Sequence, residues 1–213
     1  MLTLYYSPNS PYARKIRIAL AEKGLEFASE SMAPGSGAPG HTYPESFETM
    51  NPNWRVPMLV DGARRLWESN VILDYLLKTY PDRQGGGKPP FARALTRPEQ
   101  HWDDMMILST IETVLDSGIN LFSLKRAGAD PKQIPYMNRE TGRIQSCLDW
   151  LEQQAAPEGF VPGQFSALDL NLVCTCLWLD FRKPAPWRGR PKLERIVARW
   201  EERPTVAATR PTG

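Results

Sequence analysis

Leu2-Thr-Leu-Tyr-Tyr-Ser-Pro-Asn-Ser-Pro-Tyr-Ala-Arg-Lys-Ile-Arg-Ile-Ala-Leu-Ala-Glu-Lys-Gly24 reads as a strand, a turn and a helix in direct succession. Leu2–Tyr6 is apolar on both faces, the pattern of a buried strand. Ser7, Pro8 and Asn9 are turn residues. Pro11 then opens a helix to about Lys23, with Ser10 as N-cap, Pro11 in the first helical position and Gly24 as the stop. Ile16, Ala19 and Leu20 fall on one side of it and give it a buried face. Working outward, Leu25–Ser31 is a second strand, so the opening segment is a βαβ unit. Residues 33–53, rich in Gly, Pro, Ser and Asn, read as a long loop. Val56-Pro-Met-Leu-Val60 is a third strand, Asp61-Gly62 a hairpin signal, and Arg65-Leu-Trp67 its antiparallel return. Glu68-Ser69-Asn70 caps a helix from Val71 to about Thr79, with Ile72, Leu73, Leu76 and Leu77 toward the core, and Pro81 closes it.

Residues 81–96, with Gly85-Gly-Gly87 and Pro89-Pro90, are the clearest linker. Beyond them the pattern is helical, at about 97–126, 132–155, 166–182 and 191–202. Nine of the thirteen residues Asp169–Phe181 are apolar, which suits the central helix of a bundle. No internal repeat is present. The composition is that of a globular protein: 41% hydrophobic and 23% charged over 213 residues, with 26 Lys and Arg against 24 Asp and Glu. So balanced a charge argues against a nucleic-acid or membrane-surface binder. The densest apolar run, Leu170–Phe181, is too short to span a bilayer, so no membrane span is expected. Met1 leads straight into the first strand with no basic n-region, so no secretory signal is expected either. Cys147, Cys174 and Cys176 form neither a disulfide framework nor a zinc pair, His41 and His101 have no ligand partner at metal spacing, and no metal is expected. A reduced, cytoplasmic setting fits. Residues 182–213 hold nine Lys and Arg against three Asp and Glu and read as a solvated basic edge, with Trp187 and Trp200 anchoring the tail.

Four local motifs, in this order and spacing, resemble the soluble glutathione transferases over essentially the whole chain: Ser10–Gly24, Asn51-Pro-Asn-Trp-Arg-Val-Pro57, Glu68-Ser69 and Ser166-Ala-Leu-Asp169. The resemblance implies a thioredoxin-like α/β amino-terminal domain at 1–80, a linker at 81–96 and an all-α carboxy-terminal bundle at 97–213. It implies glutathione as co-substrate, no metal, a homodimer, and a small apolar electrophile as the second substrate. Phe181-Arg-Lys-Pro-Ala-Pro-Trp187 and the serine in the first motif look most like bacterial serine-type members with a detoxifying role.

The resemblance gives each motif a task. Ser10 lies where a strand turns into a helix, beside backbone N–H groups and the positive end of the helix dipole, where a bound thiol is held as thiolate. Ser7 competes for that role, with Tyr5 and Tyr6 behind it. The Val56-Pro57 bond is cis in this family, which turns the backbone of Val56 toward the cysteinyl part of glutathione as an added strand. Arg55 matches a basic position near the peptide's carboxylate. Ser69 offers hydroxyl and N–H to the γ-glutamyl carboxylate, and Glu68 accepts its ammonium. Ser166 and Asp169 form a capping box, with Phe165 and Leu170 as hydrophobic staple, and serve stability alone. Tyr12, Trp102 and Met106 border the electrophile's pocket, although Trp102, Met105 and Met106 suit core packing equally well. With no cysteine before Cys147, the active turn has no thiol of its own, which disfavours thioredoxin-like redox and mixed-disulfide chemistry. Attack by glutathione thiolate on an electrophile remains, or reduction of a peroxide, with isomerase and dehalogenase variants left open. The alternative is a non-catalytic module that holds glutathione or another ligand and serves in interactions.

Overall fold

β1 (Leu2–Tyr6) and α1 (Pro11–Glu22) stand where the first 24 residues place them, and Gly24 ends the helix at φ 60°, a left-handed conformation that glycine adopts without steric cost. β2 (Phe27–Ser31) lies parallel to β1, as a crossover through α1 requires. β3 (Met58–Asp61) and β4 (Arg64–Trp67) form an antiparallel hairpin that adds on the other side of β1, giving the order β2-β1-β3-β4. Glu45–Met50 is a short helix, α2. α3 (Ser69–Thr79) packs against α1 and buries Ile72, Leu73, Leu76 and Leu77. Asp61, at the hairpin, accepts hydrogen bonds from the hydroxyls of Tyr75 (2.8 Å) and Tyr80 (2.5 Å), which tie β3 to the far end of α3. Those two bonds, Tyr80 first, hold the Asp61 carboxyl below its ordinary range. Leu4, Ile16, Leu20, Leu59 and Ile72 are fully buried between sheet and helices, each contributing roughly 1.5–3 kcal/mol by burial.

The computed structural model describes residues 1–32, 45–80, 90–131 and 133–211. Two compact units emerge: Met1–Lys88 with Arg93–Leu95 and Pro204–Gly213, and Pro89–Ala92 with Thr96–Arg203. Several sequence expectations change. Of the loop expected at 33–53, the part 33–44, with His41, lies outside the described residues. α2 occupies a stretch expected to be loop because Phe47 leaves the polar pattern and packs fully buried with Met32 and Met58, with Tyr5, Met50, Val56 and Val60 around them. The third strand begins at Met58 rather than Val56, since Pro57 has no N–H to give to a ladder. Pro81 lies outside the described residues, as do 82–89 of the expected linker. Pro90–Ala92, also expected as linker, are built into the second unit: Ala92 N–H donates to Phe165 O and Phe165 N–H to Pro90 O, both at 2.9 Å.

In the second unit, a 3₁₀ turn leads into α4 (His101–Arg126), followed by α5 (Pro135–Gln154), α6 (Ala167–Arg182) and α7 (Pro191–Glu201). α6 is the central helix: Ala167 to Cys176 are buried without a break, Cys174 and Cys176 among them. Its capping box is complete, with Asp169 N–H donating to Ser166 Oγ (3.1 Å) and Ser166 N–H to Asp169 Oδ2 (3.1 Å). Gly118 lets α4 approach it, since a Cβ there would meet Leu179 at 3.0 Å. α4 also bears on the membrane expectation, which considered only Leu170–Phe181. With its leading turn (Pro98–Arg126) it is long and apolar enough to cross a bilayer by length and composition. Here its apolar residues Ile107, Leu108, Ile111, Val114 and Leu115 are buried as the helix packs on α5 and α6. Trp187 and Trp200 are buried, as expected of anchors.

The tail differs most. Residues 97–213 read as one all-helical domain, yet α8 (Pro204–Ala207) packs on α1 in the first unit. The reason lies in α1. Arg14 is almost fully buried, and its guanidinium donates to Val206 O (3.0 Å) and Thr209 Oγ1 (3.2 Å), while Thr205 Oγ1 donates to Glu22. A buried guanidinium needs such acceptors.

Candidate active site

The register of the sheet gathers three of the four motifs. Tyr5 pairs with Met58, and Met58 with Trp67. The turn after β1, the residues before β3 and the turn after β4 therefore leave the sheet at one end. They carry Ser10, Val56-Pro57 and Glu68-Ser69. α1 and α3 start at that same end, so both helices direct the positive ends of their dipoles there, an arrangement that favours anions.

Ser10 is half-buried and has the extended backbone of an N-cap, φ −76° and ψ 121°. Its Oγ accepts from Ala13 N–H at 3.3 Å, and its own N–H closes the preceding turn on Ser7 O at 3.0 Å. Capping and thiolate stabilisation are compatible, because the cap uses a lone pair and leaves the hydroxyl proton to donate. Of the tyrosines, Tyr5 packs its ring tilted against Phe47, with ring centres 5.8 Å apart, and the Tyr6 hydroxyl accepts from Ser29 Oγ at 3.1 Å.

The Val56-Pro57 bond is cis. Val56 is half-buried and lies beyond the end of the ladder, which starts at Met58. The turn before it is organised by Asn51, which is fully buried. Asn51 Nδ2 donates to Arg55 O (2.7 Å), its Oδ1 accepts from Asn53 N–H (3.0 Å), and its own carbonyl accepts from Trp54 N–H (3.1 Å). The Arg55 side chain is exposed.

Glu68 corrects the expected cap. α3 begins at Ser69, two residues early, and Glu68 itself is the N-cap residue, with φ 65°, ψ 118° and no side-chain capping bond. Positive φ is costly for glutamate, about 1–3 kcal/mol, and persists where the surrounding structure holds it. The carboxylate instead accepts from Asn53 Nδ2 at 2.6 Å. Ser69 is buried in the first helical position, where its N–H has no intrahelical acceptor. Next to it, Asn70 Oδ1 accepts from Lys15 Nζ at 3.3 Å, and that ammonium lies 5.6 Å from the centre of the Tyr12 ring. Lys15 is almost fully buried, which places a cation between α1 and α3. Sequence reasoning does not single out Lys15, Asn51 or Asn53. Only the Asn-Pro pair before Val-Pro hints at Asn51.

Tyr12 is half-buried on α1. On α4, Trp102 (79% exposed) and Met106 (58%) lie in the open, with Met105 less so, which excludes the core-packing reading for them. His101 bonds Thr96 and meets Trp102 edge-on. Among the described residues, no three His, Cys, Asp or Glu side chains gather as a metal would need.

Two family models, described as glutathione S-transferase N-terminal domain and C-terminal domain, match residues 4–84 and 135–203. The chain is 27% identical over 208 residues to glutathione S-transferase GstB of Escherichia coli K12, covering 97% of this chain and 96% of that protein. It is 26% identical over 217 residues to FtsZ-localized protein A of Caulobacter vibrioides, covering 93% and 92%. Among solved structures, a glutathione S-transferase from Methylobacterium radiotolerans, in complex with glutathione sulfonate, superposes with a TM-score of 0.77 at 26% identity, over 100% of this chain and 95% of that one. The amino-terminal model spans the four-stranded sheet with its two helix starts, the carboxy-terminal one spans α5 to α7, and on both counts this chain belongs to the glutathione S-transferase family.

Proposed function

We propose that the protein is a glutathione transferase whose bound thiolate attacks a small apolar electrophile, with Ser10 as the donor that stabilises the sulfur. The observation that carries this reading is the convergence of Ser10, the cis Val56-Pro57 turn and Glu68-Ser69 at the sheet end where two helices begin. Glutathione is an anion with one ammonium, and the site offers a partner to each part. The γ-glutamyl carboxylate meets Ser69 and the first N–H groups of α3, and its ammonium meets Glu68. The cysteinyl backbone pairs with Val56 beside Pro57, and Arg55 serves the carboxylates. The thiol loses its proton to solvent, and the Ser10 hydroxyl donates to the resulting thiolate.

With an aryl halide, the sulfur's electron pair forms the new S–C bond and the halide leaves with the electrons of the C–X bond. Trp102 and Met106, one turn apart and exposed on α4, suit an apolar co-substrate. The protein works as a cytoplasmic homodimer in this reading, a setting that agrees with its three free cysteines. Calorimetric titration with glutathione tests the proposal. Binding at millimolar concentration or better, with turnover of an electrophile, is expected, and a folded sample that binds none overturns it. The likeness to FtsZ-localized protein A favours a second reading, an interaction module that keeps the glutathione site. Glutathione binding without turnover across a panel of electrophiles is its signature.

A further inference from the structure

We propose that Asn53 is a specificity-determining positioning residue, which sets the Glu68 carboxylate for the α-ammonium of glutathione; this rests on the function proposed above. Three observations carry it. Asn53 Nδ2 donates to one oxygen of that carboxylate, Oε1, at 2.6 Å. A carboxylate so held keeps its second oxygen in a fixed direction and free to accept from a ligand. Asn53 in turn is held by the fully buried Asn51, whose side chain accepts from Asn53 N–H and donates to Arg55 O two residues on. Glu68, for its part, is held at a positive φ and its side chain makes no bond to cap α3; the partner its carboxylate takes is Asn53. The bond therefore joins the turn before β3 to the turn after β4 through the one carboxylate assigned to the ligand's ammonium.

In the free protein this bond is exposed to solvent, where it adds little to stability. Its effect appears when a ligand covers it. An unheld glutamate must lose its side-chain freedom on binding, whereas Glu68 has already lost it.

The test compares glutathione with glutaryl-cysteinyl-glycine, which lacks only the α-ammonium, on the intact protein and on Asn53→Ala. We expect the variant to bind glutathione about five- to tenfold more weakly and the des-amino analogue about as well as before. KM for glutathione should rise while kcat, the pKa of the bound thiol and the melting temperature hold. In a Glu68→Gln background, Asn53→Ala should no longer alter the preference between the two peptides. An equal loss for both peptides, or an unchanged preference, overturns the role of Asn53. If the unaltered protein binds no glutathione, the proposed function itself fails. If it binds glutathione with no preference over the analogue, Glu68 is not the ammonium's partner, and the role assigned to Asn53 falls with it.

Discussion

Replacing Ser10 with alanine removes two things that can be weighed separately. The first is a helix cap. Its Ala13 N–H to Oγ distance of 3.3 Å is long for a hydrogen bond, so the loss belongs at the low end of the usual range, about 0.5–1 kcal/mol. In a chain of this size that lowers the melting temperature by about 1–4 °C. The second, in the function proposed above, is the hydroxyl's bond to the sulfur. A hydrogen bond to a charged group is worth about 1.5–3 kcal/mol, which corresponds to roughly a ten- to a hundredfold lower rate and a rise of about one to two units in the pKa of the bound thiol. Glutathione affinity should change little, because Val56, Glu68 and Ser69 remain. Conjugation of an aryl halide followed against pH measures the rate, the ultraviolet thiolate band measures the pKa, and a thermal melt measures the cap. Ser10→Gly separates the two effects further, since glycine retains most of the capping preference and supplies no hydroxyl. A full rate and an unchanged thiol pKa in Ser10→Ala, together with the small loss in melting temperature, would reduce Ser10 to a helix cap and move the search to Ser7.

Three further outcomes are expected. Asn51→Ala removes both side-chain bonds of the turn before β3 and should cost about 1–3 kcal/mol in urea unfolding while weakening glutathione binding in parallel; loss of stability with intact binding refutes the turn's role in presenting the site. Burial pushes the Asp169 carboxyl up to about 6 from 3.8. Because the folded value lies above the unfolded one, its contribution is complete below about pH 4 and is lost as pH rises through 6. The stability of the protein relative to Asp169→Asn should therefore fall by roughly 2–3 kcal/mol between pH 4 and 7, and a flat difference in urea midpoints would refute it. Light scattering at micromolar concentration should give twice the 24.1 kDa chain mass; a species of 24.1 kDa refutes the dimer.

What can be read without coordinates follows from local physics. Ser10, Pro11 and Gly24 bound α1 because capping, a preset φ and a left-handed stop act within a few residues of themselves. Ser166 and Asp169 are legible for the same reason. α2 is hidden in the sequence since a single buried aromatic, Phe47, decides it, and that burial depends on Met32 and Met58 from other segments. The start of α3 is displaced by two residues from the sequence pattern because the Glu68 carboxylate answers to Asn53, fifteen residues earlier and across a hairpin. Arg14 and Lys15 have the look of a charged pair on a solvent face. Their burial becomes intelligible only with Val206, Thr209 and Asn70 in place. At the site, the residue types are visible and their order is informative, whereas the contacts that hold them in position are not.

The hold of Arg14 on Val206 and Thr209 also sets a timetable. A ribosome makes the sheet, α1 and α3 first, yet the carbonyl and hydroxyl that satisfy the buried guanidinium emerge more than 190 residues later. Until then α1 carries a charge with two of its acceptors missing, and the nascent first unit has reason to stay open at that face. The helical segment, synthesised in between, is free to pack before its predecessor finishes. A chain truncated after α3 would lack those same acceptors. The unit whose sheet is written first therefore also holds the last helix described in the chain.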